Sequence, residues 1–204
     1  MAAVATAPGE RSHANWRAGL PRLEGVRIAL RELQLTDAAS LHHISHTPDV
    51  SHYTWPAPSS VDEFSRFIEW TWAERTAGKY VCFGAVPRDG AAAAGLFEIR
   101  QMQPGFFRAE LGFFLDPSLW GSGAFTEAAR LVLEFAERTL HVYRIEARVA
   151  VDNARSNSAL RRLGAVHEGV LRGAFLRNGQ PVDQNLWTIC PLTSIDSELR
   201  KDPR

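Results

Sequence analysis

A turn rich in glycine, Trp120-Gly121-Ser122-Gly123-Ala124, separates an apolar run that ends at Leu115 from a long stretch of helical periodicity. Two glycines there permit positive backbone dihedrals and let a ligand approach the main chain closely. At a helix start they also leave amide N–H groups unpaired at the positive end of the dipole, which suits phosphate. The chemistry on offer is capture of a phosphorylated group by backbone donors. A plain strand-to-helix connection carries the same pattern, so the turn alone does not decide. A Walker loop is excluded because no lysine lies near, and the dinucleotide pattern GxGxxG fails because its third glycine would fall at Thr126. A nucleoside triphosphatase and a Rossmann dehydrogenase are thereby disfavoured.

Other reactive side chains point elsewhere. His42 and His46 stand four apart on one predicted helical face, spacing that could ligate zinc, yet neither an HExxH glutamate nor a third ligand accompanies them. No metal site is expected, although an imidazole beside an acceptor pocket could carry a proton. Cys82 and Cys190 lie in apolar runs without a CxxC pattern and read as small hydrophobes in the free thiol state.

The elements that must position the turn are legible around it. After it, Phe125, Ala128, Val132 and Phe135 repeat as one apolar helical stripe, with Glu127, Arg130, Glu134 and Arg138 on a solvated face. Glu134 precedes Arg138 by four residues, the favourable order for an ion pair. Strands are expected at 26–33, 80–86, 94–102, 108–115 and 144–151, and Asn178-Gly179 closes a hairpin between 171–177 and 185–189. Thr36 and Asp37 supply capping oxygens for one helix, and Ser59 or Ser60 for another over 61–78, whose buried face carries Phe64, Phe67, Ile68 and Thr71. Trp70 and Trp72 cannot both share that face. Tyr53, Trp55, Pro56 and Pro58 mark a stretch that proline keeps out of helix.

Three blocks in order, AELGFFLDPSLWGSGAFTEA at 109–128, DNARSNSALRRLGAVHEGVLR at 152–172 and FLRNGQPVDQNLWTI at 175–189, resemble the GNAT N-acetyltransferase superfamily, specifically the branch of the ribosomal-protein acetyltransferases RimJ and RimL. The resemblance spans roughly 26–192. It implies an α/β (α+β) domain with a mixed, mostly antiparallel sheet of six to seven strands flanked by about four helices. It also implies transfer of acetyl from acetyl-CoA to a primary amine, a small molecule or a peptide N-terminus, by direct attack in a ternary complex. By the same resemblance, Phe114 and Leu115 bind the pantetheine arm and thioester oxygen through main-chain N–H groups. Trp120, Gly121, Ser122, Gly123, Ala124 and Phe125 take the pyrophosphate, and Asn153 and Asn157 contact the cofactor. Ser156 is the candidate acid, in line with Leu160 and Leu163 on the inward helical face, with a plain capping role as the alternative. Glu110, which matches a family position, and Glu98 are the candidate bases, against a structural ion pair with nearby arginines. The chain departs from the family at the usual tyrosine acid, replaced by Leu160, and at a glutamate of RimL-like enzymes, replaced by Phe175. Those losses leave open a CoA-binding sensor without turnover, and a different donor such as succinyl-CoA is the remaining rival.

The 204 residues suit one domain at 23–192, between an N-terminal tail at 1–22 and a C-terminal tail at 193–204. Basic and acidic residues balance at 23 each, giving no electrostatic footprint for nucleic acid or membrane. No apolar run approaches a membrane span and MAAVATAP is too short for a signal peptide, so a cytoplasmic enzyme is expected. The branch commonly forms a homodimer.

Overall fold

The computed structural model describes residues 15–54 and 57–190. Trp55, Pro56 and the expected C-terminal tail lie outside that range, as do residues 1–14.

Eight strands among the described residues form one sheet in the order β1-β2-β3-β4-β5-β6-β8-β7. They are β1 (Leu23–Glu24), β2 (Ile28–Glu32), β3 (Tyr80–Pro87), β4 (Gly95–Gln101), β5 (Arg108–Leu115), β6 (Arg144–Ala150), β7 (Val166–Arg177) and β8 (Gln180–Ile189). Five helices flank it: α1 (Ala38–Ser45), α2 (Pro48–Ser51), α3 (Val61–Thr76), α4 (Ala124–Arg138) and α5 (Ala154–Arg162). Every neighbouring pair is antiparallel except β5 with β6, which α4 joins as a crossover. The fold is therefore the mixed α/β architecture expected of the sequence. The two-residue β1 and the single turn of α2 were too short to leave a periodic signal.

Alternation along the central strands sends side chains to two cores. Val81, Phe83, Phe97, Ile99 and Leu111 face α4, whose Ala128, Val132 and Phe135 are buried against them. Tyr80, Cys82, Val86 and Leu96 face α1 and α3, where Leu41, Phe64 and Ile68 meet them. Ser60 is the cap of α3, accepting the Glu63 N–H at 3.2 Å. Trp72 packs half-buried with its indole N–H on the Leu33 carbonyl at 3.0 Å, leaving Trp70 exposed over Tyr80. The Glu134 to Arg138 pair forms at 2.7 Å. Cys82 is a buried free thiol, whereas Cys190 is exposed just beyond β8.

Two expectations need correction. Residues 15–22 are not a loose tail: Trp16 meets Phe106 edge to face at 5.7 Å, Trp16 and Leu20 lie against the core, and the Arg75 guanidinium donates to the Arg17 carbonyl. The bulk of one indole outweighs the polar composition around it. Glu127 is not merely solvated either. From the first turn of α4 it accepts the amides of Val26 at 2.6 Å, Arg27 at 2.8 Å and Ile28 at 3.2 Å. Burial works to raise its pKa, but those three donors prevail and hold it below the ordinary carboxylate value.

Candidate active site

Strands β5 and β6 are paired over only three rungs, Arg108 with Arg144, Ala109 with Ile145 and Glu110 with Glu146. Beyond them β5 stays with β4 as far as Leu115 opposite Gly95, and β6 stays with β8 as far as Ala150 opposite Gln184. The two strands thus part while each keeps its outer neighbour. At the closed end the buried Glu146 carboxylate accepts from Arg108 at 2.6 Å and Arg144 at 2.9 Å, and Arg144 also grips Glu168 at 2.7 and 2.5 Å. Burial alone would raise the Glu146 pKa; the arginine contacts reverse that and hold it low.

Ladder parity tells which amides face the gap. The Met102 N–H meets the Arg108 carbonyl and the Asp116 N–H meets the Ala94 carbonyl, so even positions of β5 turn their backbone groups toward β4. Leu111, Phe113 and Leu115 consequently turn theirs toward the split. Of the two residues expected to hold the pantetheine arm, Leu115 turns its amide toward the split, while the Phe114 amide belongs to the β4 ladder. Phe113, overlooked in the sequence, has the gap-facing parity and lines the cavity. On the opposite wall the Val151 N–H meets the Asp183 carbonyl, which by the same parity leaves Arg148 and Ala150 facing the gap.

The glycine turn closes the open end. Gly121 has φ 77° and Gly123 φ 90°, the left-handed region, and Gly123 is the N-cap of α4. Ser122 accepts the Ala124 N–H at 3.2 Å and donates to the Leu119 carbonyl at 2.6 Å, which fixes the curl. The amides of Gly121, Gly123, Phe125 and Thr126 make no hydrogen bond among the described residues and stand at the positive end of α4. The Phe125 ring packs at a tilt against Phe97 and Phe113, centroids 5.7 and 4.7 Å away, so its side chain belongs to the wall and only its amide to the turn.

Helix α5 forms the other lip. Asn153 caps it, its side-chain oxygen accepting the Ser156 N–H at 3.0 Å. Ser156 lines the split, and its hydroxyl makes no hydrogen bond among the described residues. Asn157, expected to touch the cofactor, does not line the cavity. Its NH₂ donates to the carbonyls of Ala150 at 2.9 Å and Asn153 at 2.8 Å, and its oxygen accepts from Asn185 at 2.9 Å and Trp187 at 2.8 Å. It is a knot that ties β6, α5 and β8 together.

Both candidate bases lie on the α3 face of the sheet. Glu110 is held by Arg100 and lies 3.9 Å from Arg148, the structural pairing weighed as its alternative, and neither it nor Glu98 is part of the cavity lining. Glu98 accepts the Tyr80 hydroxyl and lies against Gly112, where a Cβ would overlap the carboxylate. Gly112 itself lines the cavity. Burial, which outweighs the Tyr80 hydrogen bond, raises the Glu98 pKa, with the nearby Glu110 charge adding to the shift.

These walls enclose one cavity of about 590 Å³. On its far side Asp49, Tyr53 and Thr54 close it, and a clip holds that segment to the hairpin: Arg177 pairs with Asp152 at 2.8 and 3.2 Å and stacks on Tyr53. His42 and His46 are absent from the lining; His46 bonds back to the His42 carbonyl at 2.9 Å. Among the described residues no three His, Cys, Asp or Glu side chains gather to hold a metal. No helix among them is long and apolar enough to cross a membrane.

The acetyltransferase (GNAT) domain family matches residues 27–166. The chain belongs to the GNAT acetyltransferase family. The uncharacterized N-acetyltransferase YoaA of Bacillus subtilis (strain 168) is 28% identical over 170 residues, covering 83% of this chain and 96% of its own. Spermidine N(1)-acetyltransferase of Escherichia coli (strain K12) is 27% identical over 154 residues, 75% of this chain and 80% of that protein. The fold matches Mycobacterium smegmatis RimJ in complex with CoA-disulfide with a TM-score of 0.77 at 22% identity, over 86% of this chain and 88% of RimJ. As a GNAT acetyltransferase the protein uses acetyl-CoA, and the split fits it: gap-facing strand amides suit an amide-bearing arm, and the unpaired turn amides suit phosphate.

Proposed function

We propose that the split between β5 and β6 transfers acetyl from acetyl-CoA to a primary amine that enters past Asp49 and Tyr53. The observation that carries this reading is the convergence, in one cavity, of gap-facing strand amides and unpaired turn amides. Acetyl-CoA supplies the acetyl group as a thioester, which the amine displaces to give an amide and a free thiol. The N–H groups of Phe113 and Leu115 bind the arm and polarise the carbonyl; one well-aimed donor of this kind is worth about 3 kcal/mol. The Ser156 hydroxyl, unengaged and facing the cavity, gives a proton to the departing sulfur. Glu98, its pKa raised by burial, takes the amine proton beside the bare backbone of Gly112. Asp49 lines the amine's entrance without a partner among the described residues and draws a cation inward. An amine acceptor is also what the name of the spermidine N(1)-acetyltransferase relative carries.

The test is thiol release from acetyl-CoA over a panel of polyamines, small amines and N-terminal peptides, with CoA affinity measured in parallel. At least one acceptor is expected to turn over. Ser156→Ala is expected to lower that turnover about a hundredfold while acetyl-CoA affinity stays within twofold. Binding without thiol release for any acceptor would overturn the enzymatic reading, and an unchanged rate in Ser156→Ala would reduce the serine to part of the cap.

A further inference from the structure

We propose that Arg155, laid on the Trp120 indole across the mouth of the split, is a phosphate ligand that makes the protein select a phosphorylated donor over a bare pantetheine thioester. The inference rests on the CoA reading above. The guanidinium carbon of Arg155 lies 3.5 Å from the Trp120 ring centroid. The two side chains come from opposite walls, one from the connection between β5 and α4, the other from the first turn of α5, and both line the cavity. The indole is fixed, because its N–H donates to the Leu115 carbonyl at 3.1 Å.

A guanidinium seated over a ring face spends none of its five N–H donors on that contact, which leaves them free for an anion. Those of Arg155 are unspent: it makes no ion pair and no hydrogen bond among the described residues. Arg162, further along α5, also lines the cavity without a partner among the described residues, but it has no ring beneath it, and the other charges nearby are engaged. Arg148 stands 3.9 Å from both Glu110 and Glu146, and Asp152 is taken by Arg177. An available cation therefore faces the turn whose Gly121 and Gly123 amides are also without partners. Both helices at this mouth begin here, so their dipoles favour a multiply charged anion between them. An exposed arginine normally loses much rotamer freedom when it grips a ligand; the stack removes part of that loss in advance. The phosphate it takes belongs either to the diphosphate bridge or to the terminal 3′-phosphate of CoA.

Calorimetric affinities of the full chain for CoA, dephospho-CoA and pantetheine decide the matter, measured for the wild type, Arg155→Met, Arg155→Lys and Trp120→Leu. Arg155→Met is expected to weaken CoA about tenfold to a hundredfold and leave pantetheine within twofold. Arg155→Lys is expected to recover only part of the loss, since an ammonium lacks the planar donor fork, and Trp120→Leu to weaken CoA in the same direction. If dephospho-CoA suffers the same loss as CoA, Arg155 holds the diphosphate; if it does not, Arg155 holds the 3′-phosphate; each supports the proposal. Equal CoA affinity in Arg155→Met, or an equal loss for pantetheine, would overturn it while leaving the CoA reading intact. A folded wild-type protein without affinity for CoA would overturn that reading instead. Displacement of CoA by inorganic pyrophosphate in the wild type, expected to weaken in Arg155→Lys, needs no neutral variant.

Discussion

Replacing Asn157 by Ala should destabilise the protein by about 2–4 kcal/mol. The figure follows from who loses a partner. Ala150 O keeps the Asn153 N–H at 3.0 Å and Asn153 O keeps the residue-157 N–H at 3.1 Å, so neither carbonyl is orphaned. Asn185 is only partly buried and can turn to water. The Trp187 indole N–H has no such recourse: the residue is 3% exposed and Asn157 is its acceptor. One orphaned buried donor costs about 1–3 kcal/mol, and the deleted amide leaves a small void and a looser α5 start that add about 1 kcal/mol. For a domain of this size each kcal/mol lowers Tm by about 2–4 °C, so a fall of roughly 5–15 °C is expected in differential scanning calorimetry. Asn157→Asp keeps the oxygen that Trp187 needs but removes the NH₂ and adds a buried charge, so it should be as damaging as Ala at neutral pH and milder in acid. A Tm within 2 °C of the wild type in Asn157→Ala would refute the knot, and a loss of CoA affinity without loss of stability would return Asn157 to the cofactor.

Gly123→Val puts a β-branched residue at φ 90° in the turn, at a cost of about 1–3 kcal/mol, and should abolish CoA binding by calorimetry while circular dichroism still shows a folded chain; retained affinity would remove the turn from the site. Glu98 binds its proton more tightly folded than unfolded, so its contribution to stability is full below 4.5 and declines as pH rises through the raised folded value. Glu98→Gln should therefore be more stable than the wild type at neutral pH yet slower in turnover, and a variant no more stable at pH 8 would contradict the burial argument. Glu168 shows the opposite sign: its hydrogen bond to Arg144 lowers its pKa to about 2, so that contribution is present above 4.5 and is lost as pH falls toward 2. Acid unfolding of Glu168→Gln should depend less steeply on pH in that window, and superimposable curves would show the pair to be inert.

The glycine turn and the strand before it could be read from residue types, because only glycine tolerates the φ values at 121 and 123 and because Asp116, Pro117 and the apolar run bound the strand. The stripe of α4 was likewise visible at its period. Which amides face the split was not visible, since parity depends on a register with β4 that no single strand encodes. The ion pair of Glu110 was hidden for a related reason: Arg100 lies directly opposite it across the β4–β5 ladder, a pairing fixed by the fold and not by nearness in sequence. Arg155 carried one faint signal, a cation in the first turn of a helix, where the dipole disfavours it unless an anion or an aromatic face compensates.

The three amides of the corner between β1 and β2 that close on Glu127 anchor the start of α4 to the far margin of the sheet. The lip bearing the two glycines cannot swing away without uncovering that carboxylate. Its curvature is therefore settled when the chain folds, and an arriving nucleotide meets a rigid rim, forfeiting little additional freedom on association.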